Sequence, residues 1–135
     1  MAERDRLTGE IVDAAFKLHQ AIGPGLLESV YEVLLVKELE RRDLRAARQV
    51  PVSFEYDGIS FSDAFRVDLL VEDRVVVELK SVERFAPIHS KQLLTYLRLM
   101  NLPVGLLINF GAPTLKEGIQ RVANSRAPLR LCVSA

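Results

Sequence analysis

Asp68, Glu78 and Lys80 are the residues whose types and spacing could do chemistry. Residues 65–80 read Phe-Arg-Val-Asp-Leu-Leu-Val-Glu-Asp-Arg-Val-Val-Val-Glu-Leu-Lys, two strands joined near Glu72-Asp73-Arg74. A two-residue loop at Glu72-Asp73 would set Asp68 opposite Val77 and Val67 opposite Glu78, mixing carboxylates with valines. A three-residue loop instead pairs Val67 with Leu79, Leu69 with Val77 and Val71 with Val75, making one face wholly apolar. Because a one-residue slip inverts every side chain, the hydrophobic pattern selects the second register. The other face then pairs Arg66 with Lys80, Asp68 with Glu78 and Leu70 with Val76. Like charges directly opposed across two strands are unfavourable. Such carboxylates need a cation between them, or one must hold a proton. Oxygen ligands from Asp and Glu suit Mg²⁺ or Mn²⁺, and Lys80 projects on the same face as Glu78. Taken alone, Glu78-Leu79-Lys80 fits a solvated strand face better than a site; the pairing with Asp68 makes the two readings equal.

The elements that must position these residues follow from periodicity and punctuation. Ile11, Ala14, Ala15 and Leu18 recur at helical spacing, with Thr8 as a cap near the start. Gly23-Pro24-Gly25 ends that helix. A second helix is expected over about 27–42, burying Leu27, Val30, Leu34 and the neighbourhood of Val33. Glu28, Tyr31, Glu32 and Leu35 lie on an adjacent stripe. Strands are expected over 47–56, 59–71 and 74–82, with Asp57-Gly58 as the hairpin turn between the first two. A helix over 90–100, a strand over 104–109, a helix over 114–124 and a last strand near 129–133 complete the chain. The order α-α-β-β-β-α-β-α-β, without repeats or linkers, implies one α/β domain spanning 1–135.

With 135 residues, 49% hydrophobic and 27% charged, the chain can build one core, and disorder, collagen and coiled coil are excluded. Cys132 is the single cysteine, which excludes an intramolecular disulfide or a cysteine metal cluster; a buried, inert thiol is expected. The apolar runs at 67–71 and 75–77 are too short to span a bilayer, and the charged N-terminus lacks a secretory pattern. A cytoplasmic location without a membrane partner is the expectation. The 18 basic and 18 acidic side chains cancel overall, yet residues 1–83 carry a balance of −6 and residues 84–135 one of +6. That asymmetry hints at an anionic partner, against the alternative that the two surfaces pair within the fold.

An Asp on one strand, Glu-x-Lys on the next and helices on either side resemble the PD-(D/E)XK nuclease superfamily. Gly25-Leu-Leu-Glu28-Ser-Val-Tyr31 is similar to the signature of its GxxExxY family, and the likeness extends from about His19 through Gly111. It includes Val67-Asp68-Leu-Leu-Val71, Val77-Glu78-Leu-Lys80, Gln92-Leu-Leu-Thr-Tyr96 and Gly105-Leu-Leu-Ile-Asn-Phe-Gly111. Val67 stands where the superfamily name has proline. The resemblance implies a restriction-endonuclease-like core, a central mixed β-sheet flanked by helices. It further implies Glu28, Asp68 and Glu78 as ligands of Mg²⁺ or Mn²⁺, with the Leu79 carbonyl a further ligand. By the same resemblance Lys80 orients or activates the attacking water, and Gln92 contacts the active-site cluster with Tyr96 on the same helix face.

The remaining residues have two readings each. Glu28 also suits the positive end of a helix dipole, and Tyr31 suits packing with a hydroxyl hydrogen bond. His89 could reach phosphate or make a helix-start hydrogen bond, and His19 is expected near the Gly23-Pro24-Gly25 turn. Arg66 could contact phosphate or pair with Asp68 or Glu78. Arg84, Lys91 and Arg98 belong to the basic segment that would hold a phosphate backbone, and Tyr96 would join it. The expected function is a metal-dependent nuclease hydrolysing phosphodiester bonds, in DNA. A non-catalytic nucleic-acid-binding or accessory module retaining the fold is the alternative, and a nuclease for RNA or branched DNA, as a homodimer, is a third reading.

Overall fold

The computed structural model describes residues 6–125 and the backbone of 3–5 and 132–134. Helix α1 (Glu3–Ile22) buries Leu7, Ile11, Ala14, Ala15 and Leu18, the apolar stripe that its periodicity dictates. It begins earlier than the cap reading of Thr8 implies: Thr8 lies inside the helix and is buried. The helix ends where Gly23 takes φ 84°, its N–H donating to the His19 carbonyl at 2.7 Å.

Helix α2 (Glu28–Arg41) packs on a different face from the one expected. Tyr31, Glu32, Leu35, Glu38 and Leu39 are buried, whereas Leu27 is 75% and Val33 47% exposed. Val30 is also exposed. The buried stripe misleads because it carries two glutamates, each with cationic partners. Glu38 accepts from Lys17 and Arg42, tying α2 to α1, and Glu32 accepts from Arg48.

Strands β1 (Ala46–Tyr56) and β2 (Ile59–Val71) form a long hairpin. Asp57 and Gly58 both take positive φ at its turn, as two-residue hairpin loops require. Strand β3 (Val75–Lys80) follows a three-residue loop, with Leu69↔Val77, Leu70↔Val76 and Val71↔Val75 paired. Helix α3 (Pro87–Met100) carries the chain over to β4 (Val104–Asn109), which lies parallel to β3 and is buried throughout.

The helix expected over 114–124 is a short 3₁₀ turn, Leu115–Gly118, and then strand β5 (Ile119–Ala123), antiparallel to β4. Leu115, Gly118 and Val122 mimic a helical period, yet an added Cβ at Gly118 would lie 2.4 Å from the Asn109 carbonyl oxygen, so the glycine serves close packing against β4. Strand β6 (Cys132–Ser134) pairs with β1. Residues 129–131 of the expected last strand, and the surroundings of the Cys132 thiol, lie outside the described residues. The six-stranded mixed sheet has the order β5-β4-β3-β2-β1-β6.

Two apolar layers sandwich this sheet. Leu69, Val71, Val75, Val77 and Leu79 meet α1 and α2, while Leu70, Val76 and Leu107 meet Leu93 and Leu97 of α3. Val67 joins the α3 layer rather than the face of Leu79. The strict alternation therefore breaks at Asp68, and the Val67–Leu79 and Arg66–Lys80 pairings do not form because the β2–β3 ladder ends at Leu69↔Val77. Among the described residues no helix is long and apolar enough to cross a membrane.

Candidate active site

Where the ladder ends, side chains replace it. The Asp68 N–H donates to Glu78 Oε2 at 2.6 Å, and the Leu79 N–H donates to Asp68 Oδ2 at 2.8 Å. Each carboxylate thus holds backbone of the opposite strand; the two acids come together through these bonds beyond the end of the ladder, not as the directly opposed cross-strand pair that the register argument expects. Glu78 is 6% exposed. Burial first, and then the negative charge of Asp68, push its carboxyl up to about 8, against the pull of the Asp68 N–H and of Lys80.

A third acid reaches this pair from α2. It is Glu32, 4% exposed, accepting from Arg48 Nε at 3.0 Å and from Gln49 Nε2 at 3.0 and 3.2 Å. Gln49 Nε2 also donates to Asp68 Oδ1 at 3.3 Å, so Glu32 and Asp68 share one amide. Glu28 stands exposed at the first position of α2, one turn before Glu32 on the same helix face. Sequence reasoning set Glu32 beside Tyr31 without a role, and Arg48 and Gln49 went unnoticed. The i,i+4 spacing of Glu28 and Glu32 was the one signal that could have marked Glu32.

Lys80 closes β3 and is partly buried. The backbone beyond it is pinned: the Phe110 N–H donates to the Lys80 carbonyl at 2.8 Å. Asn109, 1% exposed, accepts from the N–H groups of Val82 and Gly111 and donates to the Val82 carbonyl. Ser81 Oγ donates to the Leu26 carbonyl at 2.6 Å, joining this segment to the turn before α2. That turn is held by Tyr31, whose hydroxyl donates to the Gly23 carbonyl and accepts from the Leu26 N–H. The Tyr31 ring stacks on Phe110 with centroids 4.4 Å apart. His19 Nε2 donates to the Ala112 carbonyl at 3.0 Å, near the same turn. Tyr31 and His19 are therefore structural.

On the other face, Tyr96 stacks on Phe65 at 4.2 Å, and its hydroxyl pKa is raised by burial and then by Glu78 and Asp68. Gln92, one turn earlier on α3, is exposed. His89 Nδ1 accepts from the Ala86 N–H at 3.1 Å, the helix-start bond. Arg66 makes no ion pair with Asp68 or Glu78 and is exposed, as are Arg84 and Lys91. Arg98 is half-buried, its Nε without a hydrogen-bond partner among the described residues.

Among the described residues no group of three or more His, Cys, Asp and Glu side chains is arranged to hold a metal ion. The donor chemistry nevertheless fits Mg²⁺ or Mn²⁺, since such ions bind through one or two carboxylates and keep several waters. A buried Glu78 beside a second acid is also the arrangement that a cation would relieve.

A family model described as the PD-(D/E)XK nuclease superfamily matches residues 5–122. No curated protein and no solved structure matches the chain.

Proposed function

The chain belongs to the PD-(D/E)XK nuclease superfamily, and from that premise we propose that it is a divalent-metal-dependent nuclease hydrolysing phosphodiester bonds in DNA. The observation that carries this reading is the interlocked Asp68–Glu78 pair with Lys80 two residues on. Asp68 and Glu78 would hold Mg²⁺ or Mn²⁺, together with the Leu79 carbonyl and with Glu28 directly or through water. When bound, the ion polarises the scissile phosphate and lowers the pKa of a water.

This chain's own residues do the rest. Lys80 brings a positive charge to the two acids and stabilises negative charge developing on phosphate oxygens. Tyr96 of α3 feels the charge of both acids, and Gln92, one turn earlier on the same helix, would contact the metal-holding cluster. Arg66, Arg84, His89, Lys91 and Arg98 supply backbone phosphate contacts, which set register without reading sequence.

Plasmid and labelled-oligonucleotide cleavage with Mg²⁺ or Mn²⁺ tests the proposal. Wild type is expected to cleave DNA, with Lys80→Ala and Asp68→Asn each lowering the rate at least ~100-fold. Cleavage unaffected by both substitutions would overturn it.

A further inference from the structure

One neutral side chain ties the acids of the sheet to α2. Gln49 Nε2 lies within hydrogen-bond distance of both Glu32 oxygens and of Asp68 Oδ1. Bridging two carboxylates requires the NH₂ end of the amide, because the carbonyl end would set oxygen against oxygen. The backbone at Gln49 has φ 49°, in the left-handed region that side-chain-bearing residues adopt at a cost of about 1 kcal/mol or more. Pairing of β1 with β2 runs through Arg48↔Leu69 and Val50↔Val67 but skips Gln49 and Asp68. On its other side β2 has already left β3. Asp68 therefore sits where both ladders lapse, and its two oxygens are held by Gln49 Nε2 and the Leu79 N–H.

We infer that Gln49 is the positioning residue for Asp68: its amide, anchored on Glu32, fixes the Asp68 rotamer without adding charge. This rests on the nuclease reading above. The adjacent residues divide the task. Arg48 offsets the charge of Glu32, at 3.0 Å, and makes no hydrogen bond or ion pair with Asp68 among the described residues. Lysine or arginine at position 49 would form an ion pair with Asp68 and compete with a divalent cation for it. A neutral donor holds the carboxylate and leaves its full charge for the metal. Glycine would adopt the backbone at position 49 without strain, but would lose the amide.

Calorimetric titration of Mn²⁺ into wild type, Gln49→Gly and Gln49→Met, beside the Mn²⁺ dependence of plasmid cleavage, tests this role. Glycine relieves the backbone, and methionine keeps the length while losing the donor. Both variants are expected to bind Mn²⁺ about 10-fold more weakly, with half-maximal cleavage needing correspondingly more Mn²⁺ and the saturated rate within roughly threefold of wild type. Losing the donor to buried Glu32 offsets the strain that glycine relieves, so both variants are titrated well below their measured melting temperatures, which separates the loss from unfolding. Wild-type affinity in both variants overturns the role of Gln49 and leaves the site standing. Weakening in Gln49→Met alone traces the effect to packing or backbone and also overturns it. A wild-type protein that neither binds Mn²⁺ nor cleaves overturns the nuclease reading and this inference with it.

Discussion

Asp68 and Glu78 are joined by exchange: Glu78 Oε2 accepts the Asp68 N–H at 2.6 Å, and Asp68 Oδ2 accepts the N–H next to Glu78 at 2.8 Å. The strands stay together by carboxylates where the regular ladder has stopped. Burial and the neighbouring Asp68 charge oppose ionisation of Glu78, and the consequence can be measured without any substrate.

Stability in the absence of divalent ions should fall as pH rises through the neutral range. Glu78 titrates at about 8 in the folded chain against an ordinary 4.5. Below 4.5 it is protonated in both states, and its contribution is complete. Between 4.5 and about 8 the unfolded chain releases the proton while the folded chain keeps it, so stability drops by up to roughly 1.4 kcal/mol per pH unit. Above that window the slope from this group vanishes. Urea unfolding in EDTA from pH 5 to 9 should show the decline in wild type and its loss in Glu78→Gln. An equal slope in Glu78→Gln would refute the assignment.

Glu32 and Glu28 should separate when each is changed to alanine. Glu32→Ala removes the acceptor of Arg48 and Gln49 from a nearly closed site. It should lower stability by about 2 kcal/mol, less than a fully buried pair because Arg48 remains partly solvated. Glu28→Ala should change stability by less than ~0.5 kcal/mol, while lowering metal-dependent cleavage about 10-fold. Melting curves and initial cleavage rates check both. Unchanged cleavage in Glu28→Ala would remove it from the metal-binding set.

The contrast between these two acids shows where the sequence was legible. The hairpins and the three-residue loop that brings Asp68 close to Glu78 follow from apolar periodicity and turn residues, although the two acids do not form the direct cross-strand pair that this register implies. These are local or nearest-neighbour properties. Glu32 and Gln49 depend on partners 16 or more positions away, as does the Lys17 contact of Glu38, so glutamates inside a buried stripe read as its solvent side. The strand Ile119–Ala123 was missed for a related reason: β4 supplies its hydrogen-bonding edge, and the segment's own spacing suits a helix equally well.

Asn109 should prove more important than its position at a strand end suggests. Its side chain makes three hydrogen bonds to Val82 and Gly111 in a closed setting. Asn109→Ala leaves those backbone groups without partners and should destabilise by about 3 kcal/mol. Gly111→Ala tests the same junction by a different route. An added Cβ would lie 2.4 Å from the Val82 carbonyl oxygen, forcing the segment after Lys80 to move. Both variants should lose cleavage activity even below their melting temperatures, whereas retained activity would show that Lys80 does not need this anchor.

Tyr31 offers the cleanest separation of packing from hydrogen bonding. Tyr31→Phe keeps the ring stacked on Phe110 and removes only the hydroxyl that links Gly23 to Leu26. Water can reach this exposed turn, so the cost should be about 1 kcal/mol. Tyr31→Leu also removes the aromatic stack and should cost a further ~1 kcal/mol or more. Leu26 is bonded to Ser81, directly after Lys80, so loosening the turn should also disturb the site. Cleavage by Tyr31→Phe should therefore fall several-fold at temperatures where the chain is fully folded. Wild-type cleavage by Tyr31→Phe with the expected stability loss would confine the hydroxyl to holding the turn, and separate that turn from the placement of Lys80.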